Sequence, residues 1–174
     1  MGIIGAIIYN IQNMRKAKKY RRMGADGLLA LGDEALYEAV LCLCEDAVCD
    51  LEDTDLTEPQ RLVYSLINFE AEVNNGGLCQ FFVNSSSECA PFISAALSAV
   101  GSTELKKLFD RFISENNIDV NDLSSFKISD IQEYEAQAER YDFDSFDDEF
   151  YKDEHLHQNI INYARKHIRQ LIQA

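Results

Sequence analysis

The stretch "EVNNGGLCQFFVNSS" (residues 72–86) decides what kind of fold this chain can have. A helical pattern, with Leu62, Val63, Leu66, Ile67 and Val73 on one side, runs into Asn74-Asn75-Gly76-Gly77. It restarts at once as "LCQFFV". Asn75 and Gly76 both tolerate a left-handed backbone, and glycine has no Cβ to oppose it. Gly77 then allows a tight turn, so that a second short helix presses against the first. Leu78, Phe81 and Phe82 fill the angle, and Asn84 and Ser85 end the short helix. The stretch therefore reads as a helical corner.

The same corner gathers polar groups. Gln80 and Asn84 lie four residues apart, on one face of the short helix, and Glu72 stands just before the bend. Two uses fit them. They can satisfy the backbone groups that a bend leaves unpaired, which is the reading a corner this tight favours. Alternatively they line a small polar pocket, where an enzyme's site would have to lie.

Working outward, every long segment keeps the helical period. Asp33 opens "EALYEAVLCLCEDAVCDL". Thr57, followed by Glu58 and Pro59, is a helix start. Pro91 and Gly101 bracket an alanine-rich helix, and Ser102 or Thr103 caps "ELKKLFDRFISE", which stops at Asn116-Asn117. "SDIQEYEAQAERY" is a further helix, and "SFDDEFYKDEHLHQNIINYARKHIRQLIQA" is one long helix or two in sequence. Only "FKIS" (126–129) could make a strand. With two prolines and eight glycines in 174 residues, the expectation is all-α. It takes the form of a single compact helical domain (31–174) of about seven helices behind an amphipathic basic helix and connector (1–30).

Charge is the strongest compositional signal. The chain has 30 acids and 16 bases, a net −14. Residues 1–22 carry six bases and no acid, which leaves a net −20 for residues 23–174. Such a body repels nucleic acid and attracts basic partners. Two acidic runs stand out. "EDAVCDLEDTDLTE" (45–58) has seven acids and no base. "DFDSFDDEFYKDE" contains Asp142, Asp144, Asp147, Asp148, Glu149, Asp153 and Glu154, the candidate binding residues. If this run is helical from Ser145, Asp144/Asp148 and Glu149/Asp153 are like-charged i,i+4 pairs, each costing about 0.2–0.5 kcal/mol. Phe143, Phe146, Phe150 and Tyr151 would face the core. The run departs from a calcium loop, since Phe146 and Asp147 occupy positions that need a ligand and a glycine.

At residues 1–22, Ile4, Ile7, Ile8, Ile11 and Met14 share one helical face and the bases follow. The apolar run is eight residues, too short to span a bilayer. Docking on the chain's own domain or on a twin subunit fits this face best. Lying on an anionic membrane surface is the other use. The five cysteines have no paired spacing and read as reduced, buried thiols of a cytoplasmic protein. Cys42, Cys44 and Cys49 lack a spaced fourth ligand, and His155 and His157 point to different sides of a helix. No metal or cofactor is expected. No phosphate loop or nucleophile elbow is present, so no catalytic residue is assigned.

The opening stretch resembles the signature of a bacterial domain family that includes a DNA-mimic protein. That signature is an acidic residue before Asn-Gly-Gly-x-x-Gln-x-x-x-Asn-Ser, here Glu72, Asn75, Gly76, Gly77, Gln80, Asn84 and Ser85. "PFISAALSAVGSTELKKLF" and "FDSFDDEFYKDEHLHQNIINYARKHI" extend the resemblance, over residues 57–170. It implies an α-helical fold and no carried-over catalytic residues. For the DNA-mimic member it implies an acidic dimer on the DNA-binding surface of a transcription factor. The basic residues 1–22 depart from a pure mimic. The expected function is therefore a non-catalytic acidic binding protein whose partner is a basic protein, such as a DNA-binding regulator, with no direct contact to nucleic acid. The alternatives are an immunity-type inhibitor of a basic toxin or nuclease, and an enzyme at the Glu72/Gln80/Asn84 corner.

Overall fold

The computed structural model describes residues 3–50 and 56–173, with side chains for 12–49 and 56–173. Eight α-helices run through them: α1 Ile3–Leu29, α2 Asp33–Asp50, α3 Glu58–Val83, α4 Ala90–Val100, α5 Thr103–Glu115, α6 Ile131–Ala138, α7 Phe143–Phe150 and α8 Leu156–Leu171. Short 3-10 turns lie at Ser85–Cys89 and Ser124–Phe126. No strand occurs among the described residues, and the chain is all-α. The "FKIS" segment passes from a 3-10 turn into irregular backbone. No described helix is long and apolar enough to cross a membrane.

The helices begin and end for local reasons. At the start of α3, Gln60 N–H donates to Thr57 Oγ1 (3.3 Å) and Thr57 N–H donates to Gln60 Oε1 (2.8 Å). This is a reciprocal capping box. Asp130 accepts from Glu133 N–H (2.9 Å) at α6, and Asp142 accepts from Ser145 N–H (3.2 Å) at α7. Gly101 closes α4 in the left-handed region (φ 85). The acidic-aromatic tail is two helices, because Asp153 accepts from His155 N–H (2.9 Å) and Leu156 N–H (2.8 Å) and so opens α8 afresh.

Contacts divide the chain into two units, and both α3 and α8 contain the division. The first is residues 1–64 with 161–174. In it α1 packs on α2, burying Ala17, Leu36, Ala39, Val40, Leu43 and Ala47. Polar contacts flank that seam: Asn13 Nδ2 donates to Glu45 (2.7 Å), Lys16 pairs with Glu38 (2.8 Å), and Arg21 pairs with the buried Asp46. The Lys16–Glu38 pair is over half exposed and contributes little. Arg165 reaches the Leu29 and Leu31 carbonyls (3.2 and 3.1 Å) and Asp33 (2.6 Å), tying the end of α1 to the start of α2. Gln60, fully buried, donates to the Gln173 carbonyl (2.7 Å) and so ties α3 to the end of α8. The isoleucine side chains of the 1–22 face lie outside the described residues, as do residues 51–55 of the first acidic run. Met14, from the same face, is 51% exposed.

The second unit is residues 65–160. Its core is aromatic. Phe69 meets Phe81, Phe109 and Phe150 edge to face, with centroids 5.1, 5.7 and 5.6 Å apart. Phe82, Phe126, Phe143, Phe112 and Phe146 continue the cluster. Such pairs add specific geometry to the burial of large apolar area.

All five cysteines are free, and Cys42, Cys44, Cys79 and Cys89 are buried as expected. Cys49 is exposed. Burial pushes the Cys44 thiol up to about 12, where almost no thiolate exists at neutral pH. In the folded protein a disulfide reagent should therefore label one thiol, Cys49, quickly and the others only on unfolding. Rapid labelling of several thiols would contradict this packing.

Candidate functional site

The Asn-Gly-Gly corner is a kink inside α3, with non-helical backbone at Gly76 (φ −164) and Gly77 (φ 78, ψ 178). The left-handed position is Gly77, not Gly76 as the sequence suggests. The reason lies across the fold. Asp147, on α7, sits against Gly77 and accepts from the Leu78 N–H at 2.8 Å. A Cβ built on Gly77 would stand 2.9 Å from the Asp147 carboxyl carbon. The carboxylate thus caps the restarted helix, whose first N–H groups have no intrahelical acceptor. On the other side of the kink, Tyr151 Oη donates to the Val73 carbonyl at 2.7 Å. One short acidic helix and the residue after it close both ends of the break.

Glu72 ties the outer side. Its carboxylate accepts from Gln80 Nε2 (2.7 Å), Asn84 Nδ2 (2.9 Å) and Ser86 Oγ (3.1 Å). All three expected corner residues meet here, and Ser86 joins them. The carboxylate's acceptor positions are largely taken by its own neighbours. Gly76 is packed against the Gln80 side chain. Asn75 is exposed.

Burial raises the Asp147 pKa from its ordinary value; the Leu78 N–H opposes this, while Asp144 and Asp148 add to it. Because the folded-state value lies above the unfolded one, protonation favours the folded chain. That contribution is complete below the unfolded pKa and is lost as pH rises through the folded one. Asp147→Asn retains an acceptor for Leu78 and removes the charge that burial opposes. Stability of this variant near neutral pH should be unchanged or slightly higher. Asp147→Ala should cost about 1–2 kcal/mol, since it removes the cap. Thermal melts between about pH 7 and about pH 4 test the sign: wild type should gain on Asp147→Asn as pH falls. The opposite trend would refute the assignment.

The seven acids of the second run separate into roles. Asp142 caps α7 and also accepts from Ser145 Oγ (2.7 Å); Asp153 caps α8. Asp147 is turned into the kink. Glu149 pairs with Arg111 of α5 at 3.2 Å, both about half exposed. Asp144, Asp148 and Glu154 are exposed and carry no cationic partner among the described residues. Asp144 and Asp148 form the expected i,i+4 like-charged pair within α7. Glu149 and Asp153 do not, because α7 ends at Phe150. Phe143, Phe146 and Phe150 are buried, whereas Tyr151 is 50% exposed, its ring edge-to-face with Phe150 (5.9 Å) and its hydroxyl on Val73.

Between α5 and α7 lies an open groove of about 330 Å³ lined by Glu104, Lys107, Arg111, Glu149, Lys152 and Asp153 with Leu105 and Leu108. Its acids and bases balance. The unit 65–160 does not: 19 acids and 6 bases give it a net −13, while residues 1–64 with 161–174 stand at −1 from 11 acids and 10 bases.

Neither the curated proteins nor the solved structures give a match to the chain. A family model does, over residues 54–167, which spans the kinked α3, the aromatic core and most of α8. With well over half its length matched, the chain belongs to the DMP19-like protein family.

Proposed function

We propose that this chain is a non-catalytic acidic binding protein that occupies the basic, DNA-binding surface of another protein. The observation that carries this reading is the trio Asp144, Asp148 and Glu154, exposed and without cationic partners among the described residues, in a unit of net −13. Like charges on one helix destabilise it. A surface that keeps them suits a partner that supplies the opposite sign. DNA-binding proteins present bases spaced for phosphates, one charge per about 1.7 Å of duplex axis. An acidic helix can meet that surface without any base-specific contact. The Glu72 corner enters the proposal only as a support, since its carboxylate serves the bend. Five free cysteines fit a reducing, cytoplasmic setting.

The test is capture of partners from lysate on the immobilised full chain, followed by competition with duplex DNA. The captured protein should be basic, should dissociate between about 50 and about 200 mM salt, and should be released by DNA. A neutral or acidic partner, or binding indifferent to both salt and DNA, would reject the proposal.

A further inference from the structure

The geometry points to a second interaction surface, on α1, that lies along an anionic lipid bilayer. Six bases fall on residues 15–22, and the fold divides them. Lys16 and Arg21 turn to α2 and pair with Glu38 and Asp46. Arg15, Lys18, Lys19 and Arg22 are exposed, and with Met23 they line an open groove of about 430 Å³. At 100° per residue these four fall on one stripe, on the side of the helix away from Ala17, Asn13 and Arg21, which face α2. The α2 seam therefore uses one face of the helix and leaves the cationic face outward.

The register extends this face. Backbone positions 4, 7, 8 and 11 of α1, all isoleucine, stand in line with positions 15, 18 and 22. Met14, at the junction, is 51% exposed. From residue 4 to residue 22 the face is about 27 Å long, apolar in its first turns and cationic in its last. An acidic protein surface or a nucleic acid answers the bases but not the isoleucines. The bilayer interface answers both, with acyl chains below and anionic headgroups at the level of the bases. α1 is not apolar enough to cross the bilayer, so the contact lies in the interface plane. The net −14 of the chain does not prevent it, because exposed charges beyond about 8–10 Å are screened at physiological ionic strength.

Sedimentation of the full chain with lipid vesicles tests this. Binding is expected to phosphatidylcholine vesicles containing phosphatidylserine, and not to phosphatidylcholine alone, and should weaken with salt. The double variant Lys18→Gln/Arg22→Gln removes two exposed charges and should bind about thirtyfold more weakly, each base near an anionic surface being worth about a factor of five. Ile7→Asn/Ile11→Asn should also lose binding at unchanged charge. Circular dichroism checks that both variants stay helical. Full binding by either variant, or no binding of wild type to anionic vesicles, overturns the proposal. So does self-association or duplex DNA binding, without lipid, that the charge variant abolishes while vesicle binding is absent.

Discussion

Gly77→Ala is expected to lower stability by about 2–4 kcal/mol, the larger part of it from backbone strain. At φ 78 and ψ 178 the residue occupies a region that only glycine enters freely, and a side chain there costs about 1–3 kcal/mol. The added Cβ also displaces Asp147, so the cap on Leu78 is stretched or lost, about 1 kcal/mol more. In a chain of this length each kcal/mol lowers Tm by about 2–4 °C, which predicts a fall of roughly 5–15 °C. Gly76→Ala is the control. Its φ of −164 is open to any residue, and its Cβ meets the end of the Gln80 side chain. That carboxamide can swing away at the loss of one hydrogen bond to Glu72, about 1 kcal/mol. The two adjacent glycines should therefore differ severalfold. Equal costs, or a Gly77→Ala melt within a degree or two of wild type, would show that the kink does not depend on the backbone assigned to it.

This contrast marks how far the sequence could be read. That α3 is interrupted was legible, because Asn-Asn-Gly-Gly sets four poor helix formers in succession. Which glycine takes the left-handed position was not. Either one can, and the choice follows from Asp147, about 70 residues away. Glu72, Gln80 and Asn84 were legible as a group because helical spacing puts them on one side of one bend. Ser86 carried no periodic signal. Tyr151 lies outside the core for a definite reason. The period of Phe143, Phe146 and Phe150 does not reach it, because α7 ends at Phe150 and the register ends with it. The same break separates Glu149 from Asp153. Here a local signal existed, since an Asp shortly before "HLHQNII" is a helix start, as Asp33 and Asp130 are elsewhere.

Acidity was legible as a total and illegible as a surface. Asp142, Asp147 and Asp153 bind backbone N–H groups of their own unit, and Glu149 has Arg111. No composition count separates these from Asp144, Asp148 and Glu154. Nor could it show that the chain's negative charge gathers in residues 65–160 while the rest is nearly neutral.

That separation fixes the variant that tests the proposed function most sharply. Asp144→Asn, Asp148→Asn and Glu154→Gln together remove three exposed charges and leave every cap in place. The fold should be undisturbed, and relief of the Asp144/Asp148 repulsion should stabilise α7 by about 0.2–0.5 kcal/mol. Binding to a basic partner should suffer heavily. Close charge pairs across an interface are worth about 1.5 kcal/mol or more, so three predict a loss of about three orders of magnitude or more. The slope of log affinity against log salt should flatten with it, because the lost attraction is the part that salt screens. Asp147→Asn is the matched control: it removes one charge of the same run, but one turned into the kink, and affinity should stay within about twofold of wild type. Measured by titration calorimetry over a salt series, the triple variant and the control should lie far apart. If they bind alike, at full strength, charge on α7 is not what the partner reads.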